Sequence, residues 1–453
     1  MSAGGGRTGW MLLRFLLVAV LLVPAGLLAG CSARTPDTLV VLGPWTGPEG
    51  EAFQKALESL DDGTGHRYTY KGTSSLRETL VAQLAADAPP DVAILNSIGE
   101  LTEYARENRL RPITPAAAER AAPPWAPALL VDHRRRTYWV PVKADLKSLV
   151  WSRKGTEDGA PRWCLGLASQ ATSGWPGTDW IEDILLHQAG PAVYTRWATG
   201  RLPWTTGAQG ASAADEAGAA ALARAWRTWS RLLGPEDPDT TRIWLTTPYA
   251  GKGRPGHPSS RPRGLLDSPR CTHEHQSAFT RYLYAGRPVT VRPSAGFLGG
   301  DRAYDRVFEV SGDMAAVFSD RPGAQQLVER LSGERGRSRW QRAAPDGLGP
   351  LFPGSEDPRP RDRLGRRLAG LLSGTGGEAR TLCFDASDVM PPRLRDAFQR
   401  AVLDYVGDRG ERNLRRLLGR LDTVRREEFA DSGARAAASG TRGPDTLCTP
   451  PGG

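Results

Sequence analysis

Between Thr38 and Leu95 the sequence alternates between strand-like and helix-like periods, and this alternation constrains the fold more than any other feature. Thr38-Leu39-Val40-Val41-Leu42-Gly43 is a continuous apolar run of strand length, the pattern of a strand covered on both faces. Thr46-Gly47-Pro48-Glu49 follows as a capping box, with Thr46 at the N-cap and Glu49 three residues on. It opens a helix carrying Phe53, Leu57 and Leu60 on one face. His66 to Tyr70 reads as a second strand, Ser75 to Ala86 as a second helix and Asp91 to Leu95 as a third strand. A βαβαβ run of this kind predicts a mostly parallel sheet with helices on both faces. Ligands of such sheets lie beyond the carboxyl ends of the strands, where Trp45, Glu49, Thr73, Ser74 and Asn96 fall.

Ahead of this unit, Arg7 and Arg14 precede an apolar run from Phe15 to Leu28, closed by Leu28-Ala29-Gly30-Cys31. The run is shorter than the ~20 residues of a membrane-spanning helix and Pro24 interrupts it, so residues 1–30 read as a signal peptide. LAGC is similar to the bacterial lipobox, which implies cleavage before Cys31 and lipidation of that cysteine. The alternative is an ordinary secretory signal that ends at a cysteine. Residues 31–37 then form a polar tether, and the chain is expected outside the cell, lipid-anchored on the outer face of the bacterial cytoplasmic membrane.

Without Cys31, four of the five cysteines remain, an even number in an oxidising compartment. Of the three possible pairings, Cys164 with Cys271 and Cys383 with Cys448 is favoured because each pair is adjacent in sequence. No Cys-x-x-Cys or His-x-x-x-His spacing suggests zinc, and His273-Glu274-His275 is not HExxH, so neither metal nor cofactor is expected. Roughly 420 residues beyond the leader exceed one ordinary core and predict two lobes in an α/β chain. The net charge of +9 is carried by Arg scattered through loops and C-terminal helices. Nucleic-acid binding would concentrate that charge beside aromatic residues on one face, so no nucleic-acid partner is expected.

A sugar ring presents an apolar face of C–H groups and a rim of hydroxyls, so a site for it needs flat aromatic surfaces and fixed polar groups. The chain has 14 Trp, several beside carboxylates at element ends: Trp45 with Glu49, Trp139 ahead of Asp145, and Trp175 with Asp179. Trp151, Trp226 and Trp229 sit among apolar neighbours and read as core. Trp45 and Trp175 stand in loops before helices, where ligand contact outweighs core, and Trp180 is open between the two. On the strand from Tyr138 to Trp151, period two places Lys143, Asp145 and Lys147 on one face, as ligand contacts or an ion-paired face. Asp179 reads either as a helix cap or as a residue pointing out of the GWPGTDW loop. Asp313 reads as a turn residue or a site residue.

Several longer stretches, in one order, resemble a known family. LVVLGPWTGPEGEAFQKAL, YKGTSSLRETLVAQLAADAPPDVAIL and YWVPVKADLKSLVW are followed by WCLGLASQATSGWPGTDWIEDILL, VSGDMAAVFSDRPGAQQLVERLSG and FDASDVMPPRLRDAFQRAVLDYV. Together they are similar to extracellular solute-binding proteins of family 1, the carbohydrate-capturing components of ABC importers, of the alpha-glucoside type. The resemblance implies a type II periplasmic-binding fold, two α/β lobes joined by a multi-strand hinge, with no catalytic residue. It places residues 38–142 and about 289–345 in the first lobe, 143–288 and about 346–430 in the second, and a flexible tail over 431–453. It implies a monomer that encloses a carbohydrate and hands it to permease subunits. The departure is Gly251 to Arg270, rich in Pro, Gly and Arg, which reads as a loop. Two other classes remain open: an extracellular carbohydrate hydrolase, which uses aromatic platforms with two carboxylates, and a ligand-sensing lipoprotein of the same fold uncoupled from transport. No GxSxG, HExxH or GxxxxGK[ST] motif favours the enzyme.

Overall fold

The computed structural model describes residues 37–60, 66–120, 123–252, 263–354, 357–374, 379–439, 444 and 446–449. The leader, Cys31 and the tether through residue 36 lie outside the described residues, as does half of the Pro- and Arg-rich stretch, residues 253–262. Strands β1 (Asp37–Gly43), β2 (His66–Gly72) and β3 (Val92–Leu95) alternate with helices Gly47–Glu58 and Leu76–Ala85, within two residues of the expected bounds. β1 and β3 pair in parallel, with Val41 opposite Val92. Thr46 stands at the N-cap but makes no side-chain hydrogen bond, so the expected capping box does not form. The Glu49 carboxylate goes instead to the ammonium of Lys143, a charged donor that competes better than a backbone amide.

A hairpin of β4 (Leu129–Val131) and β5 (Arg134–Arg136) leads into β6 (Trp139–Leu146), and only Lys147 and Ser148 separate β6 from β7 (Leu149–Arg153). This is a crossing between sheets. β6 belongs with the first three strands, whereas β7 pairs with β9 (His273–His275) and β10 (Val289–Pro293), and β9 with β8 (Trp163–Cys164). The chain re-enters the first sheet with β11 (Val307–Val317), whose 11 residues bridge β6 on one side and β3 and β12 (Thr381–Phe384) on the other.

Buried Leu39, Val41, Phe53, Leu57, Val92 and Ile94 form the core on one face of the first sheet, and a larger continuous core fills the opposite face and the region around the second sheet. Trp151, Trp226 and Trp229 are fully buried in the latter. Cys164 pairs with Cys271 and Cys383 with Cys448, as expected from sequence adjacency. The first bridge ties β8 to the segment entering β9 and the second ties β12 to Cys448, closing loops for which chain entropy alone contributes about 4–5 kcal/mol each. The helix Glu411–Ser439 continues past Ala430, where the sequence suggests a flexible tail. Among the described residues no helix is long and apolar enough to cross a membrane.

Candidate ligand-binding site

A cleft of about 570 Å³ lies between the carboxyl ends of β1, β2 and β3 and the start of the helix Trp175–Ala198. Trp45, Glu49, Thr73, Ser74, Asn96, Asp145, Trp175, Asp179 and Asp313 all line it. Trp180 does not. It is fully buried, edge-on to Trp163 at 4.7 Å and tilted over His275 at 4.6 Å. The helix explains the difference, because Trp175 is its first residue, at the mouth, while Trp180 falls more than a turn inside a segment buried from Pro176 to His187. Gly174 sets the entry angle: its φ is 104°, and a Cβ there would lie 2.3 Å from the Gln399 carbonyl oxygen.

At one end of the cleft three carboxylates share one ammonium. Lys143 Nζ is 2.8 Å from Glu49 Oε1 and 4.0 Å from both Asp145 Oδ2 and Asp313 Oδ2. Asp145 and Lys143 point the same way from β6, as the period-two count requires, and both are buried. Asp313 sits not in a turn but within β11, beside a β-bulge between Asp313 and Met314 that shifts the register against β6. Burial pushes the Asp145 carboxyl up to about 6 and that of Asp313 to about 7, against the opposing pull of Lys143. Burial also works against the Lys143 charge, but the three acids outweigh it and hold its pKa above the ordinary lysine range. Trp45, only 4 % exposed, borders this end from within a cluster of Phe53, Tyr70 and Trp340.

The other end repeats the arrangement around Lys147, in the crossing between sheets. Its Nζ lies 2.9 Å from Asp179 Oδ1 and bonds Asp385 Oδ2. Asp179 is therefore an ion-pair partner in the second turn, not the helix cap. Burial raises its carboxyl to about 6, with Lys147 pulling it down. Carboxylate oxygens of Asp179, Glu309 and Asp385 lie within 4.8 Å of one another, and the Lys147 ammonium supplies the positive charge among them. Half-buried Trp175 stands beside the group, its ring 5.8 Å from Lys147 Nζ and packed on Tyr249 at 5.2 Å and Phe279 at 5.9 Å.

Polar pairs span the cleft. Asn96 donates to Asp388 at 3.3 Å, Ser97 Oγ to the Asp388 carbonyl at 3.1 Å, and Arg77 to Asp396 at 3.0 Å, while Arg395 bonds Glu100.

Residues 45–243 match the family model for bacterial extracellular solute-binding proteins. Over those residues the chain is similar to that family. It is 26% identical over 411 residues to the alpha-glucosides-binding periplasmic protein AglE of Rhizobium meliloti, an alignment covering 82% of this chain and 84% of that one. It is also 26% identical over 450 residues to the osmoprotective compounds-binding protein GgtB of a Synechocystis strain, covering 87% and 96%. Among solved structures, the bacterial solute receptor AcbH, described as having an exclusive substrate preference for β-D-galactopyranose, superposes with a TM-score of 0.61 at 10% identity. That superposition covers 87% of this chain and all of AcbH. The likeness gives the fold, the two-lobed α/β architecture of the periplasmic binding proteins.

Several residues that line this cleft carry no local sequence signal of a ligand contact: Tyr249, Phe279, Asp385, Asp388, Arg395 and Gln399. Asp385 accepts from the amide of Asp388 as an N-cap, which FDASD announces, but nothing nearby announces its ion pair with Lys147, 238 residues away.

Proposed function

We propose that this chain is the substrate-binding component of an ABC importer, which encloses a carbohydrate, an oligosaccharide or glucoside, between its lobes and presents the closed form to a membrane permease. The observation that carries the reading is the composition of the cleft: aromatic surfaces at Trp45 and at Trp175 with Tyr249, and between them carboxylates held in place by buried lysines. Hydroxyl rims need such fixed acceptors, and C–H faces need such rings. Alpha-glucoside and sugar binding in the relatives supports the same ligand class. Trp45, Glu49, Thr73, Ser74, Asn96 and Asp145 act from the first sheet and its loops, and Trp175 and Asp179 from the helix beyond the crossing, so a ligand touching both sets stabilises closure through its differential contacts. The role is capture, not turnover. The leader and Cys31 lipidation would place the protein on the outer face of the cytoplasmic membrane, as a monomer facing the permease.

A calorimetric and thermal-shift panel of alpha- and beta-linked oligosaccharides, amino acids and peptides tests this. A sugar is expected to raise the unfolding midpoint; a midpoint raised only by another class, or hydrolysis of a disaccharide at enzymatic rates, sinks the reading. Within the panel, Trp175→Ala is expected to weaken sugar binding by about tenfold, the scale of one aromatic contact of about 1.4 kcal/mol. The unfolding midpoint of the free protein should stay nearly constant, because Trp175 is only half-buried.

A further inference from the structure

Although the whole chain is basic, the cleft is not: among the described residues nine carboxylates line it against four basic side chains. Each of those four is already engaged. Lys143 serves Glu49, Asp145 and Asp313; Lys147 serves Asp179 and Asp385; Arg395 reaches Glu100 and Asp388; Arg77 reaches Glu100 and Asp396. No cation is therefore left to receive an anionic ligand such as a phosphorylated or acidic sugar. One acceptor, by contrast, is unmet. Asp145 is 5 % exposed, lines the cleft, and its Oδ1 has no hydrogen-bond partner, while its Oδ2 is only a distant neighbour of Lys143 at 4.0 Å. A buried carboxylate oxygen left unpaired is costly, and a donor brought by the ligand relieves that cost most when it carries a positive charge.

We infer that the cleft selects an amine-bearing carbohydrate over its neutral and anionic counterparts, with the ligand ammonium donating to Asp145 Oδ1. This rests on the carbohydrate reading above and narrows it. A neutral sugar hydroxyl also satisfies Oδ1, but it leaves the surplus negative charge around Lys143 uncompensated. An ammonium does both. Burial pushes Asp145 up to about 6 and Asp313 to about 7, and an arriving cation shifts both toward the ionised form, so amine binding releases protons in that range. The charged groups facing this point are Glu49, Lys143, Asp313, Arg281 and Lys147.

Calorimetry on the whole chain with matched ligands tests the inference. One series is trehalose, 4-amino-4-deoxytrehalose and trehalose 6-phosphate; the other is the β-1,4-linked glucosamine disaccharide and its N-acetylated form; spermidine serves as a cation that is not a sugar. The expected result is an amine at least tenfold tighter than its neutral counterpart in one series, no binding of the phosphate, and an observed heat that varies linearly with buffer ionisation enthalpy with the slope of proton release. In Asp145→Asn the ratio of amine to neutral-sugar affinity is expected to fall within threefold. Neutral sugars binding as tightly as amines, or a preference untouched by Asp145→Asn, overturns the inference and leaves the carbohydrate reading standing. Spermidine binding while every sugar fails, or no binding at all, overturns both.

Discussion

Replacing Lys147 by methionine is expected to destabilise the free protein by about 3–5 kcal/mol, the cost of stripping a buried charge cluster of its counter-ion. Lys147 Nζ touches Asp179 and Asp385, and Glu309 lies close to both with neither carboxylate oxygen hydrogen-bonded. Burial disfavours the ammonium itself, but the surrounding acids hold its pKa well above the ordinary lysine range. Methionine keeps the stem and its packing, so the loss reports charge and not a cavity. With the ammonium gone, Asp179 and Asp385 must either bear charge in a dry interior or take up protons. The deficit is therefore largest at pH 8 and shrinks toward pH 5, where Asp179, already pushed up to about 6, binds its proton. Denaturant unfolding at the two pH values measures it. A cost below about 1 kcal/mol at pH 8, or one that does not change with pH, shows that the cluster is neutral without Lys147 and rejects this account.

The same lysine marks the limit of what is legible in the chain. Period two along Trp139–Leu146 is a local property, so the shared face of Lys143 and Asp145 can be counted from sequence. The first three strands follow for a related reason: a strand covered on both sides must be apolar at every position, and VAIL in β3 is buried at all four. The partners of Lys143 and Lys147 cannot be counted. Glu49 and Asp385 come from elements 94 and 238 residues away, and only the closed topology brings them together. Trp175 and Trp180 show the boundary within one motif. Five residues apart in a loop-to-helix sequence, Trp175 reads as a ligand contact while Trp180 stays open until the helix start is fixed; the structure begins the helix at Trp175, which leaves that ring at the cleft and carries Trp180 into the core. Asp313 misleads in the opposite way. A Ser-Gly-Asp sequence suggests a turn, but Gly312 lets β11 press against the Lys143 carbonyl, where a Cβ would stand 2.5 Å away, and the bulge aims Asp313 into the cleft.

Asp313→Asn is expected to stabilise the ligand-free protein by about 1–3 kcal/mol at pH 8 and to leave it almost unchanged at pH 4. The folded-state pKa of Asp313 is raised, from 3.8 to about 7, chiefly by burial and then by the neighbouring Asp145 and Glu49 carboxylates, with Lys143 opposing them. A group raised in the folded state contributes stability that is complete below its unfolded pKa and is lost as pH rises through the folded one. Its contribution is thus present near pH 3.8 and gone above about 7. About three pH units at ~1.4 kcal/mol each bounds the loss at roughly 4 kcal/mol, and sharing Lys143 with two other acids reduces what one substitution recovers. Asparagine keeps the shape and the acceptor that the Trp45 side chain uses, without the charge. Equal gains at pH 4 and pH 8 would assign the effect to packing instead. A pH-dependent gain, joined to weaker ligand binding, identifies the surplus carboxylates as strain that the free protein carries and a ligand relieves, so that closure over the ligand draws part of its free energy from charge stored in the cleft.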